Sequence, residues 1–397
     1  MSTPGPLDGV TVLDLTRVLS GPYCTMVLGD LGARVVKVEH PRRGDDTRHW
    51  GPPFVAGEST YFLSINRNKE SVAVDFKSPA GRAVVEALAA RADVVVENFR
   101  PGTLAAVGLD RDTLTTRHPR LIYCSISGYG QTGPRRDEPG YDAVIQAEGG
   151  LMSITGDPDG SPYRLGIAIT DIVTGLFAGQ AILAALYARE RTGRGQAIDL
   201  GMLDATAALL TYQAAIRFAT GESPPRLGNR HPNIVPYETF AVADGSLVIA
   251  VGNDDIWRRF AAAVGLGPLA DDPRFATNRA RVTNYEALKP QLDEALATAT
   301  RADWIRRLGD AGVPCGSVRS VGEVLDDPQL AARGMIERLL HPSVGALQLV
   351  GSPLHLSDTP ATVRTPPPTL GQHTDAVLDE LGYDQEERAA LRASGVI

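Results

Sequence analysis

The stretch Val10-Thr11-Val12-Leu13-Asp14-Leu15 is a short run rich in β-branched residues, which predicts a strand. A helical segment follows from Ser20 to Leu31, with Pro22 in its first turn and Gly32 just past its end. Proline favours the start of a helix and glycine its end. Arg34-Val35-Val36-Lys37-Val38 is again strand-like. These segments predict one strand–helix–strand unit.

The same alternation continues along the chain. We predict strands at Ser71–Asp75, Asp93–Glu97, Arg120–Ser127 and Gln196–Leu200, and helices at Pro79–Arg91, from Asp171 to about Arg189, and at Met202–Ala219. Near-continuous apolar strands that alternate with helices indicate a parallel sheet covered on both faces. The predicted fold class is therefore α/β.

The pattern changes after residue 220. Gly221–Pro232 is rich in Gly, Pro, Asn and Arg and is typical of a linker. A hairpin turned by Asp244-Gly245 and three helical segments follow, ending near Asp327. We therefore predict a first domain over residues 1–220, a smaller α+β domain over 221–327, and a return to the first domain over 328–397.

Composition restricts the function classes. The chain has 397 residues, is 43% hydrophobic and carries a net charge of -8, which is ordinary soluble composition without a basic run for nucleic acid. We expect no stretch that approaches the length of a membrane span, and no signal peptide. Its three cysteines form no CxxC pair, which fits a reducing compartment, so a cytoplasmic location is predicted.

Motifs for several other kinds of site are incomplete or absent. Gly128-Tyr129-Gly130-Gln131-Thr132-Gly133 matches GxGxxG, but Pro134–Gly140 behind it is not a helix start, so we reject dinucleotide binding. The chain contains no P-loop and no GxSxG elbow. Its seven His residues form no ligand cluster, so no metal site is predicted.

Asp171 is the only carboxylate in the stretch Gly166–Gly175, directly before a helical pattern. The simpler interpretation is that Thr170 and Asp171 cap this helix, since their oxygens accept free backbone N–H groups there. The alternative is that Asp171 does chemistry. The second interpretation requires a matching set of residues elsewhere in the chain.

Polar residues follow the predicted strands. Arg100 comes after one strand, the Arg42–Arg48 loop after another, and Asn66–Lys69 precedes a third. Because ligands of parallel α/β sheets lie beyond the carboxyl ends of the strands, these residues predict a phosphate-bearing ligand. The alternative for each of them is a solvated loop charge.

Several ordered motifs resemble those of the class III CoA-transferase family, which contains formyl-CoA transferase, carnitine CoA-transferase and α-methylacyl-CoA racemase. The resemblance covers essentially the whole chain. It rests on Leu13–Pro22, Leu31–Glu39, Asn66–Lys69, Val96–Gly102, Gly140–Asp142, Thr170-Asp171, Arg191–Gln196 and Leu370–Thr374.

The resemblance implies a Rossmann-like large domain built from both chain ends, an inserted small domain, and an interlocked homodimer. It also places the family's nucleophile on Asp171. In that chemistry the carboxylate attacks an acyl-CoA thioester, giving an aspartyl–acyl anhydride and then an aspartyl–CoA thioester, without a permanently bound cofactor. We expect the helix N-terminus to keep Asp171 ionised.

Tyr141 decides between the family's two reactions. Its racemases carry His in a Gly-His-Asp motif, whereas this chain has Gly140-Tyr141-Asp142. Tyrosine has a reference pKa of about 10 and is a poor proton shuttle at neutral pH. The motif therefore favours CoA transfer, with Tyr141 and Asp142 positioning the acyl group; loop packing is the alternative role for both.

The resemblance also implies CoA contacts at His40, Asn66, Lys69, Asn98, Phe99 and Met202, to which we add Arg100. This chain departs from formyl-CoA transferase at Leu19, where that enzyme has Gln, and at Pro139, where it has Lys. Formate and oxalate are therefore disfavoured as substrates. His231 lies in the loop that replaces the glycine loop of that enzyme, and we predict a substrate contact there.

Within the family, Asp45–Pro53, Tyr129–Pro134 and Ile234–Tyr237 are most similar to members that move CoA between succinyl-CoA and glutarate. This similarity implies a dicarboxylate substrate, and we expect Arg48 or Arg164 to bind its second carboxylate. Two other functions remain open: a 2-methylacyl-CoA racemase, and a non-catalytic CoA-binding dimeric protein in which Asp171 is only a cap.

Overall fold

The computed structural model describes residues 4–397. The chain divides into two compact units. The first contains the chain up to Leu151, Arg164–Ala215 and Pro328–Ile397. The second contains Met152–Tyr163 and Ile216–Asp327.

The strands, in chain order, are β1 (Thr11–Asp14), β2 (Arg34–Glu39), β3 (Phe54–Val55), β4 (Glu58–Ser59), β5 (Lys69–Ala73), β6 (Val94–Glu97), β7 (Ile122–Ser127), β8 (Ala197–Gly201), β9 (Tyr237–Val242), β10 (Gly245–Ala250), β11 (Cys315–Ser317), β12 (Ile336–His341) and β13 (Gly345–Val350).

The α-helices are α1 (Ser20–Asp30), α2 (Thr60–Ile65), α3 (Pro79–Arg91), α4 (Arg111–Arg117), α5 (Asp142–Glu148), α6 (Leu151–Ile154), α7 (Ile169–Thr192), α8 (Met202–Leu209), α9 (Thr211–Thr220), α10 (Asp254–Ala263), α11 (Asn278–Thr283), α12 (Tyr285–Leu296), α13 (Arg301–Asp310), α14 (Val321–Leu325), α15 (Pro328–Ala332), α16 (Thr374–Leu381) and α17 (Gln385–Ala393). Short 3-10 helices lie at Asp46–His49, Ala105–Val107 and Gly267–Ala270.

The first unit is built on a six-stranded sheet in the order β5-β2-β1-β6-β7-β8, and every neighbouring pair is parallel. This confirms the predicted α/β class. The chain first adds strands on one side of β1 and then adds β6, β7 and β8 on the other side. The order therefore reverses between β1 and β6, and such a switch point opens a crevice at the carboxyl ends of the strands.

Alternate strand residues supply two separate cores, as the period of two requires. On one face Leu13 and Val95 pack with Val84 and Leu88 of α3. On the other face Val12, Val94 and Cys124 pack with α1 and α7. Because both faces are covered, apolar residues of the central strands are buried on both sides of the sheet, as predicted.

Helix α7 is 24 residues long, and its length and composition would allow it to cross a membrane. The expectation that no stretch approaches that length is therefore wrong. Ala178, Ile182 and Ala185 of this helix lie in the core against Cys24 and Leu28. The helix thus contributes one face to the core of the first unit.

The second unit contains the three-stranded antiparallel sheet β11-β10-β9. Its core consists of Phe240, Leu247 and Ile249 from the sheet, together with Trp257 and Trp304 from the helices. The predicted hairpin at Asp244-Gly245 is confirmed, since β9 and β10 pair directly across it. The predicted domain boundaries themselves stay a prediction.

Two predicted helices differ from the structure. Met202–Ala219 was expected to be one helix, but it is divided into α8 and α9, and Thr211 at the break has φ +34°. The helix predicted to start after Asp171 starts earlier, at Ile169. The second difference changes the role of Asp171.

Candidate active site

Asp142, and not Asp171, caps helix α7. The residue before the helix, Ala168, makes no side-chain capping bond. Instead, Asp142 Oδ1 accepts hydrogen bonds from the Thr170 backbone N–H at 2.9 Å and from the Thr170 hydroxyl at 2.7 Å. The cap role expected for Asp171 is therefore wrong, because Asp142 satisfies the free N–H group at this helix start.

Gly175 brings helices α1 and α7 together beside Asp171. A Cβ atom on Gly175 would lie only 2.5 Å from the Ser20 carbonyl oxygen, so only glycine permits this approach. Asp171 lies four residues before Gly175 and therefore on the same side of α7. There it interacts with the hydroxyl and the backbone N–H of Ser20, the first residue of α1.

Burial controls the charge of Asp171. Only 9% of the residue is exposed. Burial, followed by the nearby Asp142 carboxylate, raises the pKa of Asp171 to about 7, and the interactions with Ser20 oppose this shift. Burial therefore opposes the ionisation of Asp171 that the helix N-terminus was expected to maintain.

Asp171 lines a cavity of about 120 Å³ in the first unit, which we call the Asp171 cavity. It lies at the strand ends where the sheet order reverses. The structure brings together there six of the residues predicted for the site: Asn98, Phe99, Arg100, Tyr141, Asp171 and Met202. Arg17 and Ser20 also line it. Both stand in the quoted family motif, but sequence reasoning gave them no role.

A second cavity of about 150 Å³ lies in the same unit, and we call it the His40 cavity. It contains His40, as predicted for a ligand site, and the cations Arg43 and Lys77. Phe76 and Phe99 pack edge to face beside it, with ring centroids 5.7 Å apart. Lys77 was missed, although it comes just after β5 and therefore lies near the same edge of the sheet.

Three predicted residues are not brought to either cavity. Lys69 is buried, and its Nζ lies 3.1 Å from Asp14 Oδ2 and 3.0 Å from Asn66 Oδ1. Asn66 is also buried and donates to the Phe62 carbonyl at 3.0 Å. Arg48 pairs with Glu39 through two hydrogen bonds of 2.7 Å. All three side chains make buried contacts within the first unit, and their predicted ligand roles stay predictions.

The two remaining predicted residues lie elsewhere. His231 belongs to the second unit, where its ring stacks on Tyr237 at 5.3 Å and burial lowers the pKa of the imidazole. Arg164 is exposed in the first unit and donates to the Leu165 carbonyl at 3.1 Å. Their substrate roles stay predictions.

Tyr61 is a further residue that sequence reasoning missed. Burial, and then the charges of Asp171 and Asp142, raise the pKa of Tyr61 to about 12. Its phenol therefore stays protonated and can donate a hydrogen bond near the two carboxylates. No sequence motif predicts this residue. Tyr61 lies far from Asp171 in the sequence and comes near it only through the packing of α2 and α7 in the same unit.

The Asp171 cavity presents a buried carboxylate to the space that it encloses. Across residues 4–397 no group of three or more His, Cys, Asp or Glu side chains is arranged to hold a metal ion. Asp171 is free of the capping role and close to the N-terminus of α1. A carboxylate in this position can act as a nucleophile or as an acid and base.

Known proteins resemble the whole chain. Residues 7–374 match the model of CoA-transferase family III. Succinyl-CoA:glutarate CoA-transferase of Mus musculus is 46% identical over 393 residues, which cover 99% of this chain and 90% of that protein. Succinate–glutarate CoA-transferase of Agrobacterium fabrum is 44% identical over 95% of this chain and 96% of that protein.

Solved structures agree with these matches. A CAIB/BAIF family protein from Brucella suis is 45% identical, with a TM-score of 0.84, over 96% of this chain and 100% of that chain. Rv3272 from Mycobacterium tuberculosis is 34% identical, with a TM-score of 0.85, over 95% of this chain and 100% of that chain. The identity and the coverage make one conclusion plain: the chain belongs to CoA-transferase family III.

Proposed function

We propose that this CoA-transferase moves CoA reversibly from succinyl-CoA to a dicarboxylic acid such as glutarate. Two of its relatives are named for transfer between these two acids. The proposed mechanism rests on one observation. The Asp171 carboxylate is buried beside a cavity, and Asp142 caps the helix in its place.

The reaction would proceed in covalent steps at Asp171. Its carboxylate attacks the thioester carbonyl, forming an aspartyl–acyl anhydride and releasing CoA thiolate. The thiolate then attacks the Asp171 carbonyl of the anhydride, which gives an aspartyl–CoA thioester and frees the donor acid. The acceptor carboxylate repeats the two steps in reverse order, so that a new acyl-CoA and free Asp171 result.

Each step passes through a tetrahedral oxyanion. Ser20 begins α1 beside Asp171, and its N–H and hydroxyl already interact with this carboxylate. Donors fixed before the reaction stabilise such an oxyanion without reorganisation. Ser20 and the α1 N-terminus are therefore the groups we assign to oxyanion stabilisation, while Tyr141 positions the acyl group.

Coenzyme A fits the two cavities together. The thioester must reach Asp171, and we place the nucleotide end in the His40 cavity. There the cations Arg43 and Lys77, together with the imidazole of His40, suit phosphates, and Phe76 offers an aromatic face to the base. Asn98, Phe99, Arg100 and Met202 line the Asp171 cavity, and we keep for them the predicted contacts to CoA.

A homodimer would cover the exposed face of α7. Leu176, Leu183 and Tyr187 on this helix are 42%, 37% and 62% exposed. An apolar strip of this kind is typical of a subunit interface. We propose that a second copy of this chain covers it, that the two units form the Rossmann-like and inserted domains of the family, and that the protein acts in the cytoplasm.

Leu183→Glu tests the dimer directly. We expect light scattering after size-exclusion chromatography to give the mass of a dimer for the wild type and a shift to monomer for the variant. Ile305→Glu is the matched control, because Ile305 has a similar exposed fraction of 38% on another helix. A wild type that is monomeric at micromolar concentration would contradict the proposed dimer.

One observation favours racemisation as a second candidate function. A pKa of about 7 for Asp171 suits a general acid and base as well as a nucleophile. The two functions separate in one experiment, in which the protein receives a panel of acyl-CoA donors and acids in deuterated buffer. Net formation of a new acyl-CoA supports transfer. Exchange of the α-proton of a 2-methylacyl-CoA without transfer would support the racemase and overturn the proposal. Binding of CoA without either reaction would indicate a non-catalytic CoA-binding protein.

A further inference from the structure

Arg17 and Phe99 line both cavities of the first unit. In the proposed function, one CoA molecule places its thioester in the Asp171 cavity and its nucleotide in the His40 cavity. The chain that joins these two ends must therefore pass Arg17 and Phe99. The phosphate-bearing part of this linker is its diphosphate, next to the nucleotide.

The backbone at Arg17 is held firmly. The Asn98 side chain accepts a hydrogen bond from the Arg17 N–H at 2.9 Å and donates one to the Arg17 carbonyl at 2.7 Å. The next residue, Val18, has φ +69°, a left-handed conformation that is strained for a β-branched residue. Strain of this kind persists only where the surroundings impose it, so the backbone next to Arg17 is held in place on this side as well.

The side chain of Arg17, in contrast, is exposed to solvent and can exchange its present partner for a ligand. Its guanidinium pairs with Asp46 at 3.0 Å, and both side chains are about half exposed, at 49% and 48%. An exposed ion pair of this kind contributes little to stability. A phosphate offers a guanidinium two parallel hydrogen bonds and is a stronger partner than a solvated carboxylate.

We propose that Arg17 binds the diphosphate of CoA. Without CoA the Arg17 guanidinium pairs with Asp46, and the diphosphate takes the place of Asp46 when CoA binds. This inference rests on the proposed function, since it takes CoA as the ligand. Asp46 lines the His40 cavity and is the carboxylate that competes with the phosphate for Arg17. Removal of Asp46 should therefore strengthen CoA binding, whereas a merely structural ion pair would weaken it when broken.

A double-mutant cycle measured by calorimetry with free CoA tests the exchange. We expect Arg17→Gln to raise the Kd of CoA about tenfold or more, a typical loss for a charge-assisted phosphate contact. We expect Asp46→Asn to lower the Kd about two- to fivefold, and to have no effect in the Arg17→Gln background. Arg17→Lys, which keeps the charge without the planar fork, should fall between the wild type and Arg17→Gln.

Arg392→Gln is the matched control, because Arg392 and Asp375 form an exposed pair at 2.8 Å that lines neither cavity. Its Kd should stay at the wild-type value. The proposal is overturned if Asp46→Asn weakens binding, if its effect persists without Arg17, or if Arg17→Gln raises the KM of the acceptor acid in place of the Kd of CoA. A wild type that binds no CoA would refute the proposed function itself, a different outcome from these.

Discussion

The Asp142 carboxylate accepts two hydrogen bonds from Thr170, the residue directly before Asp171. Two carboxylates thus share one helix start and have different environments. Asp142 is held by Thr170 and by Gln146, whose side-chain amide donates to it at 2.7 Å. Asp171 lies in the buried position with a raised pKa. Carboxylates separated in this way commonly take different roles in a reaction.

Replacing Asp171 should remove activity without loss of stability. Folding raises the pKa of Asp171 from 3.8 to about 7, so this group's favourable contribution is complete below about pH 4 and is lost as the pH rises through 7. Asp171→Asn cannot ionise, and we expect it to exceed the wild type in stability by on the order of 2 kcal/mol at pH 8. Urea unfolding at pH 5 and pH 8 measures the change, and a variant less stable than the wild type at pH 8 would contradict it.

The pH profile of kcat/KM should report Asp171. Nucleophilic attack requires the ionised form, so activity should rise with pH through about 7. Asp142→Asn keeps an oxygen for Thr170 but removes a nearby negative charge, and it should move this acidic limb to lower pH. Asp142→Ala also removes the cap and should cost about 1 kcal/mol of stability. If the limb stays in place in both variants, Asp142 does not act on the charge of Asp171.

The close approach of α1 and α7 should depend on one glycine. Gly175→Ala places a Cβ against the Ser20 carbonyl, so we expect a loss of about 1–3 kcal/mol in the free energy of unfolding and a fall in kcat. Gly179→Ala, one turn further along the same helix, meets nothing within 4 Å and is the control. It should be neutral or slightly stabilising, because alanine favours a helix. Equal effects of both variants would show that the contact at Ser20 does not matter.

Lys69 should prove structural and not a CoA contact. Lys69→Met leaves the buried Asp14 carboxylate without this cation, which typically costs about 3–5 kcal/mol. The Kd of CoA, measured by calorimetry below the unfolding range, should match that of the wild type. A weaker affinity for CoA at unchanged stability would restore the contact that the family resemblance implied.

Much of the fold could be predicted from the sequence, since local patterns determined it. The strand–helix–strand unit from Val10 to Val38 was marked by β-branched runs and by Pro22 and Gly32, and the structure confirms it. The order of the strands had no such local signal. Nor did the break at Thr211, where φ is +34°.

The site could be predicted only in part. Asn98 and Arg100 follow a strand, so the sheet edge brings them to the Asp171 cavity. Asn66 and Lys69 look equally polar in the sequence, yet both are buried. Lys69 finds a partner in Asp14 of a different strand, and Asn66 donates to the Phe62 carbonyl. Asp142 and not Asp171 caps α7 because of a contact between residues 28 positions apart, and no local sequence pattern predicts such a contact.

The proposed mechanism requires that Asp171 carries the acyl and CoA groups covalently. The most direct measurement is mass spectrometry of the peptide that contains Asp171, after incubation with succinyl-CoA and quenching with hydroxylamine. We predict a hydroxamate on Asp171, absent from Asp171→Asn and lost when glutarate is added before the quench. An unmodified Asp171 in a protein that still forms glutaryl-CoA would rule out covalent catalysis by this residue.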